Sequence, residues 1–128
     1  MILITGGAYH GKRNYAKQMY PGIDFVDGIS CAEDTIFACQ GMDHFHSYIE
    51  NRMREGKKLP ELLKIVEKLK CENSEIVLIT DEIGYGIVPT DAFYREYRET
   101  HGRVCTQIAA EAKEVHRVIC GIGTVIKG

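Results

Sequence analysis

Short apolar runs alternate with amphipathic stretches along this chain. Residues 2–5 are an apolar run closed by Gly6-Gly7, which predicts a buried strand. Residues 12–20 suit a helix that Pro21-Gly22 stops. Residues 23–26 predict a second strand, closed by the turn pair Asp27-Gly28. Ser30 is placed to cap a short helix through Cys39, with Gly41 at its end. Asp43 is placed to cap the next helix, in which Phe45, Tyr48, Ile49 and Met53 recur at helical spacing and which Gly56 ends.

The second half repeats the pattern. Pro60 suits the first turn of a helix. Leu62, Leu63, Val66 and Leu69 form its buried stripe, and Lys64, Glu67, Lys68 and Lys70 its wet face. After the turn Asn73-Ser74, residues 76–80 predict the clearest strand of the chain. Residues 83–89 predict a loop rich in Gly and Pro. Thr90 or Asp91 then caps a long helix to about Val115, bent near Gly102. Residues 118–120 predict a last strand, and Gly121-Ile122-Gly123 turns off it. Strands alternating with helices predict an α/β three-layer sandwich with a mostly parallel sheet.

Composition narrows the class. A length of 128 residues predicts a single domain, residues 1–128, able to bury its own core. No apolar run reaches transmembrane length, and the opening residues lack a signal-like pattern, so the expected setting is the cytoplasm with no membrane partner. A net charge of −2 gives no pull toward nucleic acid. Cys31, Cys39, Cys71, Cys105 and Cys120 are odd in number and form no Cys-x-x-Cys pair. They are expected to be reduced thiols serving as small core residues.

Gly6-Gly7-Ala8-Tyr9-His10-Gly11-Lys12-Arg13 matches a phosphate-binding loop at every position except the last. Its glycines let backbone N–H groups turn toward phosphate oxygens, and the following helix N-terminus adds a favourable dipole. Lys12 can reach the terminal phosphates. The last position normally gives a hydroxyl to Mg²⁺, and here it is Arg13. A guanidinium has no lone pair to give. Either Arg13 points away and water takes the missing place, or it holds phosphate as a fixed cation and displaces the metal.

A second strand end carries chemistry. Residues 76–80 run into Asp81-Glu82. Beside a phosphate loop, Asp81 is a candidate for orienting Mg²⁺, and Glu82 for orienting or deprotonating a nucleophile. The nucleotide would be GTP or ATP. His44 and His46 are two apart, which on a helix puts them on different faces. His10 either touches a nucleotide or is simply exposed. His101 and His116 carry no pattern. Arg52, Arg54, Lys57 and Lys58 are a basic cluster that suits a helix C-terminus.

Glu82-Ile83-Gly84-Tyr85-Gly86-Ile87-Val88-Pro89, then Tyr97-Arg98, then Gly102-Arg103-Val104, resemble the bifunctional adenosylcobinamide kinase / adenosylcobinamide-phosphate guanylyltransferase family. The opening run to Ala8, with Gly11-Lys12, is similar to that family's start, and Gly121-Ile122 to its end. The resemblance covers roughly residues 1–20 and 75–127. It implies a RecA-like P-loop fold in a homo-oligomer, often a trimer. It also implies phosphorylation of the aminopropanol hydroxyl of a corrinoid, then guanylyl transfer through a histidine.

By position, Gly6, Gly7, Gly11 and Lys12 would bind phosphates, and Asp81-Glu82 stand where the family has Asn-Glu. Arg13 replaces the family's Ser and Cys105-Thr106 its Asn-Gln. The middle is shorter than in the family, with His44 and His46 the nearest by region to the guanylylated histidine. A degenerate paralogue that binds nucleotide or anion and acts as a regulatory or assembly partner is the alternative reading. An unrelated kinase on the same fold is a third, since fold does not fix substrate.

Overall fold

Odd and even positions of the two best apolar runs face opposite sides of one sheet. The computed structural model describes residues 1–83 and 91–128. The expected Thr90 cap and the segment from Gly84 to Pro89 lie outside the described residues. The strands β1 (Ile2–Gly6), β2 (Phe25–Asp27), β3 (Gly41–Asp43), β4 (Val77–Asp81), β5 (Glu114–Ile119) and β6 (Ile122–Lys127) form the sheet β2-β3-β4-β1-β5-β6. All neighbours are parallel except β5 and β6.

The helices are α1 (Lys12–Met19), α2 (Phe45–Arg54), α3 (Leu59–Glu72) and α4 (Ala92–Glu111). Leu3 and Leu78 join Met42, Val115 and the apolar stripes of α2, α3 and α4 on one face. Ile2, Ile4, Val77, Ile79 and Val118 pack on the other, with Ala16 of α1. Strands covered on both faces must be apolar throughout, which is why residues 76–79 lack alternation. Each such side chain contributes about 1.5–3 kcal/mol by leaving water. The expected α/β three-layer sandwich is thus the one observed.

Register decides what meets at the carboxyl edge. Gly6 lies opposite Asp81, and Asp27 opposite Asp43. The phosphate loop and three strand-end aspartates therefore share one end of the sheet. α1 is fixed there by a polar cluster under it. His116 of β5 is fully buried and meets Tyr15 Oη at 2.6 Å, Tyr20 Oη at 3.2 Å and Glu114 Oε1 at 2.9 Å. Burial, with Glu114 beside it, pushes the Tyr20 phenol up to about 12.

Several boundaries differ from expectation. Residues 33–37 form only a 3-10 turn, and Gly41 opens β3 instead of ending a helix. A Cβ on Gly41 would lie 2.6 Å from the Phe25 ring, so the glycine lets β2 pack against β3. Asp43 closes that strand, and His44, in left-handed backbone at φ 54°, becomes the residue before α2. The second strand runs Phe25–Asp27, two residues later than its expected start.

α4 starts on the Asp91 cap, whose carboxylate accepts the Phe93 and Tyr94 N–H groups. It passes through Gly102 as an unbroken helix and ends at Glu111. The next residues feed β5, where parallel pairing with β1 overrides their helical compatibility. β6 was not expected. Cys120 (φ 51°) and Gly121 (φ 76°) make the two-residue turn with positive φ that joins antiparallel strands. All five cysteines are free, but Cys71 and Cys120 are exposed rather than in the core. Among the described residues, no helix is long and apolar enough to cross a membrane.

Candidate functional site

A cleft of about 400 Å³ opens at the carboxyl edge of the sheet. The phosphate-loop residues Ala8, Tyr9, Gly11, Lys12 and Arg13 line one side. Asp43, His44, His46 and Asp81 line the other. Gly11 adopts φ 82° and gives α1 no side-chain cap. The first backbone N–H groups of that helix therefore stay available to an anion.

Lys12 is buried, and its ammonium donates to Gly7 O at 2.8 Å and pairs with Asp81 Oδ1 at 2.7 Å. An ammonium has three donors, so a third acceptor can be met without breaking either bond. Arg13 reaches across the cleft toward Asp43 Oδ2 at 3.7 Å and is half exposed. The loop is pinned from behind. His10 Nδ1 accepts the Cys120 N–H at 3.0 Å, and the His10 carbonyl accepts the Gly121 N–H at 2.7 Å. His10 thus ties the loop to the β5–β6 turn, while Tyr9 is fully exposed.

Asp81 is held from two sides. His46 Nδ1 accepts the Asp81 N–H at 3.1 Å. That bond places the ring proton on Nε2, which faces Asp81 Oδ2 at 3.4 Å. Burial pushes the His46 pKa down, and neighbouring Asp81 opposes this only in part. One residue earlier, Thr80 is anchored to α4 through His101 Nε2 at 2.8 Å. Burial lowers the His101 pKa to about 4, so this anchor is a neutral imidazole near pH 7.

Glu82 is not among the described residues that line the cleft. Its two oxygens accept Arg117 Nε at 2.7 Å and Nη2 at 3.1 Å, and its N–H bonds to Gly6 O at 2.8 Å. Both carboxylate oxygens thus carry guanidinium bonds. The expected separation of His44 and His46 does not hold. His44 precedes the helix, so helical spacing does not apply, and the two rings lie edge to face at 5.7 Å. His44 Nδ1 meets Asp27 Oδ1 at 3.1 Å.

The basic cluster is bound up in ion pairs. Arg52 pairs with Glu55, Arg54 with Glu50, Lys57 with Glu33 and Lys58 with Glu96. Sequence reasoning missed Asp43 as a cleft residue, because it read that position as a helix cap. The signal available was a polar residue closing a short run, Gly41-Met42-Asp43.

Among the described residues, no three His, Cys, Asp or Glu side chains gather as a metal cage. Magnesium does not require one, since it takes one or two carboxylates with water and phosphate oxygens. Asp43 and Asp81 both line the cleft and are hard oxygen donors of that kind. The donor set therefore fits magnesium held with a nucleotide.

The sequence profile of the cobinamide kinase / cobinamide phosphate guanyltransferase family matches residues 26–126. The bifunctional adenosylcobalamin biosynthesis protein CobU of Escherichia coli (strain K12) is 48% identical over 54 residues, which are 42% of this chain and 30% of that protein. The protein of the same description from Salmonella typhimurium (strain LT2) is 46% identical over 54 residues, with the same shares. The matched segment thus spans under a third of the length of these curated relatives. The profile match begins after the phosphate loop, whose reading rests on its own motif and geometry.

Proposed function

The chain belongs to the cobinamide kinase / cobinamide phosphate guanyltransferase family, and from that premise we propose that it binds GTP or ATP on residues 6–13 and phosphorylates the aminopropanol hydroxyl of a corrinoid. The observation that carries this reading is the placement of Lys12. It lies between Gly7 O and Asp81, where β1 and β4 end in register. A phosphate seated on the loop would meet the Lys12 ammonium and the first N–H groups of α1, which no side chain caps.

In the proposed transfer, the corrinoid hydroxyl oxygen bonds to the terminal phosphorus as the bond to the nucleoside diphosphate breaks. The hydroxyl proton passes to water. Such a transfer needs chiefly positioning and charge stabilisation. Lys12 stabilises the phosphate charge, while Arg13 points toward Asp43 at the rim. Asp43 and Asp81 would hold magnesium, which when bound neutralises phosphate oxygens. Glu82, bound through both oxygens to Arg117, would fix the end of β4 next to Asp81 rather than touch the hydroxyl. The setting is cytoplasmic and the assembly a homo-oligomer, a trimer by resemblance.

Calorimetric titration with GTP and with ATP, each with magnesium and with EDTA, tests the reading. Magnesium-dependent binding is expected, followed by phosphate transfer to adenosylcobinamide. Binding that ignores magnesium, with no transfer, would overturn the kinase and favour the non-catalytic partner.

A further inference from the structure

We propose that His46 is a positioning residue that fixes the Asp81 carboxylate for a magnesium–nucleotide complex. The proposal rests on the nucleotide-binding reading above. One ring meets residue 81 twice: Nδ1 accepts its N–H at 3.1 Å, and Nε2 lies 3.4 Å from its Oδ2. Lys12 takes the other carboxylate oxygen at 2.7 Å. The carboxylate thus lies between the Lys12 ammonium and the His46 ring.

Neutrality matters to what the carboxylate can do. Lys12 and Arg13 already bring two positive charges to this cleft. A third cation on Asp81 would oppose a magnesium ion at short range. A ring that accepts the Asp81 N–H through Nδ1 and sits beside the carboxylate fixes the residue and leaves its charge for the metal. Partners of this kind, one bond behind a ligand, steer metal affinity.

The ring is itself constrained. Left-handed His44 sets the entry into α2, which brings His46 over the end of β4. The Tyr97 hydroxyl donates to the His46 carbonyl at 2.8 Å, and the His44 ring packs edge-on. The His46 side chain is only 14% exposed. Removing it would let Lys12 draw Asp81 into a one-sided ion pair.

The test compares wild type with His46→Leu and His46→Asn, titrated calorimetrically with GTP and ATP in magnesium and in EDTA. The readout is the ratio of the two dissociation constants, Kd in EDTA over Kd in magnesium. His46→Leu is expected to lower that ratio by about tenfold or more, with Kd in EDTA changed by less than about twofold. His46→Asn, which keeps an acceptor near the Nδ1 position and an N–H donor, is expected to recover part of the ratio. An unchanged ratio in His46→Leu overturns the proposal. Equal weakening in both solutions also overturns it, because a packing role would act without regard to metal. If His46→Leu does not fold, His46→Asn and His46→Gln decide by the same ratio. A wild-type protein that binds neither nucleotide overturns the nucleotide reading itself, and the positioning role falls with it.

Discussion

Replacing Lys12 by alanine is expected to weaken GTP or ATP binding by about ten- to a hundredfold while the fold survives. A charge-assisted bond contributes about 1.5–3 kcal/mol. Gly7 O and Asp81 take two of the three ammonium donors, so one such bond to phosphate is available, and its loss of about 1.5–3 kcal/mol corresponds to about a ten- to hundredfold change in Kd. The stability cost is smaller. The Lys12–Asp81 pair at 2.7 Å is broken, but the Asp81 side chain is 25% exposed and keeps His46 on its other oxygen. Water can take the vacated oxygen, so the loss in unfolding free energy should stay near about 1 kcal/mol. Calorimetry reads the first effect and urea unfolding the second. Unchanged nucleotide affinity in Lys12→Ala would remove the phosphate-loop reading. A collapse of stability would make Lys12 a structural residue instead.

The parts of this fold legible in sequence are those where local pattern and tertiary demand agree. β1, α1 and α3 are each announced by a run or stripe and closed by Gly, Pro or Asn, and β4 by an apolar run that ends in Asp81-Glu82. β3 carries no such signal. Its three residues include a glycine and no β-branched side chain, and it exists because Phe25 on one side and β4 on the other accept it. β6 was lost for a different reason. Its hairpin turn contains Cys120 in left-handed backbone, not the Asn or Asp that usually marks such a turn.

The site divides the same way. The loop 6–13 and Asp81 lie next to each other because β1 and β4 pair in register, as the motif led one to expect. Asp43 and His46 join them through the strand order β3-β4-β1, which no local spacing encodes. Glu82 shows the converse. Its sequence position is right for the site, yet Arg117 from β5 takes both its oxygens. A residue on a distant strand sets the contacts of a residue inside the motif.

Gly6→Ala is expected to destabilise the protein by about 3 kcal/mol, at the upper end for an overpacked site. It should lower Tm by about 10 °C. A Cβ on Gly6 would collide with the Val118 carbonyl oxygen of β5 and lie 3.3 Å from Lys12 Cδ. The first neighbour is backbone in a paired strand, so it cannot swing aside as a side chain tip would. Relief requires β1 and β5 to part at the end where the phosphate loop begins, which also disturbs the Glu82 N–H bond to Gly6 O. Nucleotide affinity should therefore fall along with stability. Gly102→Ala is the matched control. Gly102 lies inside α4, and a Cβ there would have nothing within 4 Å, so the same added methyl meets open space. There alanine should stabilise by about 0.5–1 kcal/mol through its better helix propensity. Opposite signs at the two sites, read by thermal unfolding, are the expected result. Equal tolerance at both would mean that the β1–β5 seam yields, and that Gly6 is not what shapes the start of the loop.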